Sequence, residues 1–317
     1  MTVLVTGATG FIGGHLAQRL VGEGHRVRCL VRATSDTSLL DDLGVETVVG
    51  DLTDAASLAG IADGCEAAFH CAALVSDWAT AAEIAAINVA GTRNVLAAAA
   101  SAPRFVHFST TDVHHGRNWY AQTKRAAEAE VRRAPNAVIL RPATVYGPRS
   151  TEVIGEIARA IRAGNMVLID RGRAIAGLCY VDNLVDAALL ALRRDAAPGQ
   201  DFDVTDGLDV TWRRLADDLA AGLGAARVRW SLPYGLANGI GFALEHGYRL
   251  LRRTTGLTTR PLLSRQAVYV LGRDQDFDNG KARALLGWEP RVGYAEGLEA
   301  TLAWLSAAPS AAPRRAG

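Results

Sequence analysis

The chain has 317 residues, of which 49% are hydrophobic and 21% charged, enough for one large domain or two modest ones and the wrong balance for a disordered chain. Thirty-four Lys plus Arg against 33 Asp plus Glu leave a net charge of +1, which argues against nucleic-acid binding. Cys29, Cys65, Cys71 and Cys179 show no CxxC spacing and no histidine partners at ligand spacing, so no metal site and no disulfide framework are expected, and a reducing cytoplasmic setting fits.

Val3–Thr6 reads as a continuous apolar strand at the very start, which leaves no room for a secretory leader. Gly14–Gly22 carries helical spacing through Leu16, Leu20 and Val21. Arg26–Val31 and Thr47–Val49 read as strands, and Ala67–His70 as another after the turn at Gly64. Ile84–Ala100 reads as a long Ala-rich helix, Phe105–Phe108 as a strand, Tyr120–Arg133 as a helix and Ala137–Leu140 as a strand. Apolar strands alternating with such helices predict a parallel sheet, covered on both faces and joined by right-handed crossovers. The expected fold class is α/β: a doubly wound parallel sheet of the Rossmann type with a smaller, mixed C-terminal substrate-binding region.

After Gly147 the alternation weakens. Val153–Ala163, Asn183–Leu192 and Trp212–Leu223 read as helices, Phe202–Val204 as a short strand and Gly256–Pro261 as loop. Gly280–Leu286 and Tyr294–Leu305 read as terminal helices. Residues 1–147 are thus expected to form a nucleotide-binding domain and 148–306 mainly a substrate-binding region, with some segments returning to the first; 307–317 reads as a flexible tail. No run of eighteen apolar residues occurs, so no spanning helix is expected.

Thr6-Gly-Ala-Thr-Gly-Phe-Ile-Gly13 follows the first strand and opens the first helix. In that context Gly7 permits a tight turn, Gly10 lets backbone approach a pyrophosphate, and Gly13 lets the helix pack closely; the helix N-terminus offers free N–H groups and partial positive charge. At the end of the second strand a carboxylate normally takes the ribose hydroxyls of NAD, but here stand Arg32, Thr34 and Ser35. A guanidinium suits a 2′-phosphate, so NADP(H) is the expected cofactor ahead of NAD(H). Further on, Tyr120-Ala-Gln-Thr-Lys124 places a phenol and an ammonium on one helix face. The ammonium favours the phenolate, and a tyrosine tuned this way can pass a proton to or from a carbinol oxygen.

With Phe108-Ser-Thr-Thr-Asp-Val113 at a strand end, these motifs resemble the extended short-chain dehydrogenase/reductase family over Val3 to Leu305. Within it the chain is similar to the 3β-hydroxysteroid dehydrogenase-like branch, on the segment Leu232–Arg265 with Glu245 and Pro261-Leu-Leu-Ser-Arg265. The resemblance implies roles one residue at a time. Phe11 and Ile12 join the glycine loop, and Ala72 lies beside the cofactor. Asp51 and Leu52 meet the adenine, although Asp51 could equally cap a helix over Ala55–Ala62. Asn88 supports the site through helix and water contacts, or is an ordinary polar helix residue. Counting back from Val113 gives Thr110 as the hydroxyl that holds the substrate oxygen, with Thr111 the alternative. Lys124 also holds the ribose, and the backbone from Pro142 to Val145 faces the carboxamide.

Only nine residues separate Thr110 from Tyr120, a shorter loop than the family pattern; its His114 and His115 show no evident carboxylate partner and read as loop residues rather than metal ligands. The activity implied is hydride transfer between the nicotinamide and a ketone or secondary alcohol on an apolar, steroid-like or long-chain keto substrate. A nucleotide-sugar epimerase or dehydratase and a non-catalytic NADP-binding sensor are the alternatives, the former weakened because Thr110-Thr111-Asp112 lacks the dehydratase pattern Thr-Asp-Glu. The apolar stretch Leu236–Leu251, followed by Arg252 and Arg253, could lie on a membrane surface, line an apolar entrance, or be a buried helix. In relatives the helices matching Ile84–Ala100 and Tyr120–Arg133 pair across a twofold axis, which implies a homodimer.

Overall fold

The computed structural model describes residues 1–76, 78–255 and 263–307. Strands are β1 Thr2–Thr6, β2 Arg26–Val31, β3 Glu46–Val49, β4 Ala67–His70, β5 Phe105–Phe108, β6 Ala137–Pro142, β7 Thr144–Tyr146, β8 Val167–Ile169, β9 Leu178–Tyr180, β10 Asp201–Val204 and β11 Trp230–Leu232. Helices are α1 Phe11–Gly22, α2 Ser38–Leu43, α3 Ala81–Ala85, α4 Thr92–Ala98, α5 Asp112–His115, α6 Trp119–Val131 and α7 Ile154–Arg162. They continue as α8 Val181–Arg193, α9 Trp212–Gly222, α10 Tyr234–Thr255, α11 Arg265–Gly272, α12 Gly280–Leu286 and α13 Tyr294–Ala307.

Two compact units share the chain. The first takes Met1–Ala143, Val181–Thr205 and Phe277–Glu289. Its seven-stranded sheet runs β10-β6-β5-β4-β1-β2-β3, every pair parallel. The sheet explains the apolar runs: β4, β5 and β6 are buried along their whole length, because helices cover both faces of a parallel sheet. Edge strand β3 is largely exposed by contrast. Strand order reverses at β1 and β4, and the C-terminal ends of these strands carry the glycine loop and the stretch after His70. Ligands of open α/β sheets bind at such switch points.

The second unit takes Thr144–Tyr180, Asp206–Asp276 and Pro290 onward. It holds two parallel strand pairs, β7 with β9 and β8 with β11. Each of these strands has three residues, too short for a period-two pattern, and β8, β9 and β11 have no counterpart in the sequence reading. Glu245 on α10 accepts from the backbone N–H and Nε of Arg265 at 2.8 and 2.9 Å, so two residues of the branch-like segment fasten α10 to α11. The expected loop Gly256–Pro261, Leu262 and the tail beyond Ala307 lie outside the described residues.

The expected helix Ile84–Ala100 is broken into three. It starts earlier, at Ala81, because Thr80 accepts from Glu83 N–H while Glu83 accepts from Thr80 N–H, a capping box. A π-helical turn, Ala86–Gly91, then widens the ladder around Asn88. The expected helix Ala55–Ala62 is a single 3₁₀ turn, Ala55–Leu58.

Candidate active site

The glycine loop is tight because backbone fills its interior. Gly7 has φ +74°, and a Cβ there would stand 2.7 Å from Ala72 N and 2.8 Å from Ala72 Cα. Ala72 is therefore the wall against which the loop turns. A Cβ on Gly13 would overlap the carbonyl of Gly7, so Gly13 packs α1 onto the loop itself. Gly10 caps α1 without a side chain, and no acidic residue stands in the first turn. The N–H groups at Phe11 and Ile12 thus open onto a cradle fit for a pyrophosphate.

Arg32 is exposed at the end of β2, in a turn closed by Ser35 N–H on the Arg32 carbonyl (2.9 Å) and Arg32 N–H on Ser35 Oγ (3.2 Å). Its guanidinium has no ion pair among the described residues. Asp51 does not cap the following turn; Asp54 does, accepting from Ala56 N–H at 3.0 Å. Asp51 instead accepts from the hydroxyl and N–H of Thr53 at 2.6 and 2.8 Å, and these bonds, with Arg32 nearby, hold its carboxyl below its ordinary range. Leu52 is fixed by Asn94, which donates to its carbonyl at 2.8 Å.

Asn88 is buried and braces the chain after β4. Its Oδ1 accepts from Leu74 N–H at 2.7 Å, and its Nδ2 donates to Leu74 O at 3.1 Å and Thr123 Oγ1 at 3.3 Å. Thr123 in turn donates to the Tyr120 carbonyl at 2.9 Å, so one side chain ties the segment after β4 to the helix of Tyr120. That helix begins at an Asn118 cap, which accepts from Ala121 N–H at 2.9 Å and sets Tyr120 in the first turn.

Tyr120 is half-buried, while Lys124, one turn on, is 2% exposed. Lys124 Nζ donates to the Phe108 carbonyl at 2.5 Å, so it sits under the end of β5. Burial pushes this ammonium down to about 8, against the opposing pull of Glu128 and Cys71. Thr110 is half-buried; among the described residues its hydroxyl accepts only from Asp112 N–H at 3.2 Å, which leaves its proton to give. Thr111 is buried, with its N–H on the Pro142 carbonyl at 3.1 Å and its hydroxyl facing the same oxygen at 3.5 Å. Of the two, Thr110 is the one whose hydroxyl is available.

The short loop before Tyr120 is pinned by Arg125, which donates to the carbonyls of Val113 and Gly116 at 2.8 and 2.9 Å. His114 does have a carboxylate partner: its Nε2 lies 2.9 Å from Asp203, and its ring stacks on Phe277. The sequence separation of 89 residues hides that pair. No group of metal-ligating side chains forms among the described residues. Pro142 ends β6, and Val145 stands on β7, in the second unit.

A profile of the NAD dependent epimerase/dehydratase family matches residues 3–205. The chain belongs to that family. It is 33% identical, over the full length of both chains, to a 4-hydroxy-2-methyl-3-oxo-4-farnesyl-3,4-dihydroquinoline-1-oxide ketoreductase of Stigmatella aurantiaca. It is 31% identical to a 2-alkyl-3-oxoalkanoate reductase of Stenotrophomonas maltophilia (94% of this chain, 97% of that one). It is 30% identical to a 3 beta-hydroxysteroid dehydrogenase/Delta 5-->4-isomerase of Mycobacterium tuberculosis (91% and 86%). The crystal structure of gox2253 superposes with a TM-score of 0.78 at 27% identity, covering 96% of this chain and 98% of that one. This family member is an oxidoreductase of the extended short-chain type, and its cofactor is a nicotinamide nucleotide.

What the sequence reading missed is the support beneath the site. Ser109 donates to Glu128, and Arg141 forks onto the same carboxylate through Nε and Nη2 at 2.8 and 2.7 Å. Burial raises the Glu128 carboxyl, yet the bonds from Arg141 and Ser109 outweigh it and hold the group below its usual range. Tyr120, Lys124 and Glu128 recur every four residues, a signal that was there to find.

Proposed function

We propose that this enzyme interconverts a ketone and a secondary alcohol on an apolar substrate, with NADP(H) as the preferred carrier. The observation that carries this reading is the buried Lys124, one helical turn from Tyr120 and bound to the carbonyl that precedes Ser109-Thr110. Gly7 to Gly13, with the N–H groups at Phe11 and Ile12, would hold the pyrophosphate. Arg32 would hold the 2′-phosphate, Asp51 and Leu52 the adenine, and Lys124 the ribose. Ala72 and Asn88 would form the β4 side, with Pro142 by the carboxamide. Bound there, the nicotinamide supplies hydride chemistry. Thr110 donates a hydrogen bond to the substrate oxygen and fixes it beside Tyr120. Tyr120 gives its phenolic proton to that oxygen in reduction and takes it back in oxidation, while the Lys124 ammonium stabilises the phenolate.

Relatives named for a farnesyl quinoline oxide, 2-alkyl-3-oxoalkanoates and a steroid favour an apolar ketone over a nucleotide sugar. The test is ketone-dependent NADPH oxidation with a panel of long-chain 3-oxo acids and 3-ketosteroids. Tyr120→Phe keeps the ring and should lose about 10²–10⁴ in turnover. Folded Tyr120→Phe protein with near-normal turnover overturns the assignment and favours a cofactor-binding sensor.

Helix α10 supports contact with a lipid surface. Leu236, Ile240 and Leu244 recur every four residues and are 55%, 37% and 40% exposed, while Ala237, Gly241, Glu245 and Tyr248 line its buried side. No helix among the described residues is long and apolar enough to cross a membrane. An apolar stripe followed in sequence by Arg252 and Arg253 suits an anionic bilayer surface from which apolar substrate could be taken. Flotation with anionic vesicles should recover the protein, and Leu236→Glu with Leu244→Glu should abolish that recovery. The buried thiols of Cys29 and Cys179, both pushed up by burial, suit a reducing cytoplasm, and the enzyme would act as a homodimer paired through the helices over 81–98 and 119–131.

A further inference from the structure

Two histidines lie side by side beneath the site, on neighbouring strands β4 and β5, and both are fully buried. The rings of His70 and His107 are 5.3 Å apart, yet their hydrogen bonding differs in kind. Thr92 spends its hydroxyl proton on the Asn88 carbonyl at 2.7 Å, so at 3.0 Å it accepts from His70 Nε2–H. His70 Nδ1 then accepts from Thr6 Oγ1 at 2.7 Å. Every polar atom of His70 is satisfied, and the ring is a brace between β1 and the π-helical turn.

His107 is not satisfied. Its Nδ1 has no hydrogen-bond partner among the described residues, and its Nε2 lies 3.4 Å from Lys124 Nζ. An ammonium has three donors and no acceptor, so Nε2 must accept and the ring proton belongs on Nδ1. As a brace this imidazole is a poor choice; an apolar ring would fill the space without an orphaned N–H. Its purpose lies at the other nitrogen.

We infer that His107 is a positioning residue for Lys124, holding the ammonium and its proton through Nε2. This rests on the reading of Lys124 as part of the catalytic site. Two consecutive residues of β5 then take two of the three ammonium protons, His107 through its ring and Phe108 through its carbonyl at 2.5 Å. One donor is left over. The groups around Lys124 are Tyr120 and Glu128 on its own helix, His107 on β5, and His70 and Cys71 at the end of β4. Burial and then the nearby ammonium keep both imidazoles neutral, so the positive charge stays on Lys124.

His107→Leu removes the acceptor, whereas His107→Gln places an amide oxygen at similar reach. The experiment is the pH profile of kcat/KM for NADPH-dependent ketone reduction in the holoenzyme. The basic limb, where Lys124 loses its proton, should move down by about one pH unit in His107→Leu and return in His107→Gln, with kcat falling more than KM rises. A folded His107→Leu enzyme with an unmoved basic limb overturns the inference while a dead Lys124→Met keeps the catalytic reading. Full turnover in Lys124→Met overturns both. Should His107→Leu fail to fold, the imidazole ¹⁵N spectrum of the wild-type protein decides: the Nδ1–H tautomer supports the inference, and the Nε2–H tautomer overturns it.

Discussion

Ser109 Oγ donates to Glu128 Oε1 at 2.6 Å, with both residues buried. Ser109 immediately precedes Thr110, and Glu128 follows Lys124 by one turn, so this bond fixes the distance between the end of β5 and the helix that carries the Tyr-x-x-x-Lys pattern. Arg141 on β6 closes the lock from the other side. Glu128→Ala would leave Arg141 buried with Asp201 as its one close carboxylate and Asp203 at 3.7 Å. Because Asp201 still compensates the guanidinium, losing the charge-assisted bonds to Glu128 should cost about 1.5–3 kcal/mol, which urea denaturation should show. Turnover should fall as well, although Glu128 is placed to touch no substrate. Ser109→Ala should be milder, at about 1–2 kcal/mol.

Thr110 and Thr111 are separated by one position and differ in what their hydroxyls can still do. Thr110→Val should lower turnover and leave the melting temperature nearly unchanged. Thr111→Val buries a methyl where a hydroxyl faces the Pro142 carbonyl and should act on stability more than on turnover. The reverse pattern, measured by steady-state kinetics and thermal melts together, would move the substrate-binding hydroxyl to Thr111.

Arg32 bears on the choice of cofactor. NADPH should bind at least several-fold more tightly than NADH, and Arg32→Ala should erase the difference by weakening NADPH alone. Fluorescence titration at fixed salt gives all four dissociation constants. Equal affinities in the parent protein would count against the 2′-phosphate contact.

Lys124 should leave a mark on stability as well as on rate. Its folded value of about 8 lies below the 10.5 of an ordinary lysine, so between those limits the unfolded chain binds more protons. Stability contributed by this site is therefore lowest below about pH 8 and is regained as pH rises toward 10.5. Wild type minus Lys124→Met, compared by chemical denaturation, should shift in favour of the wild type by roughly 2–3 kcal/mol from pH 7.5 to 10. A flat difference would mean that the ammonium is better solvated than its burial indicates.

Sedimentation at micromolar concentration should give about twice 33.5 kDa if the helices over 81–98 and 119–131 pair about a twofold axis. Arg93 and Glu130 already bridge these helices within one chain at 2.8 Å. A clean monomer refutes the pairing.

The sheet was legible because its inner strands β1, β4, β5 and β6 are largely apolar, and so was the cradle, because Gly7, Gly10 and Gly13 fall within one local motif. Tyr120 and Lys124 were legible for the same reason. Local patterns travel well from sequence to structure. What stayed hidden was non-local or too short. Asp203 meets His114 across 89 residues, and β8 has three residues. Asp51 against Asp54 shows a finer limit. Either aspartate is a good cap by composition, and only the direction of the chain after β3 decides that Asp54 reaches Ala56.

The sharing of the chain between two units has a consequence for how the protein is made. Strand β10, which covers the outer edge of β6, is not reached until residue 201, and α12 not until residue 280. A nascent chain that has emerged only as far as Ala143 holds six of the seven strands and presents a fully buried-type strand, β6, with an open hydrogen-bonding edge. Such an edge is a template for pairing with another chain. Trp288, fully buried with its indole N–H on the Asn183 carbonyl at 2.9 Å, completes the first unit only after more than a hundred further residues have been made beyond β6. Ribosome-stalled chains that have emerged only to a point between residues 143 and 200 should therefore aggregate or recruit chaperones, and that tendency should fall away once residue 289 has left the exit tunnel.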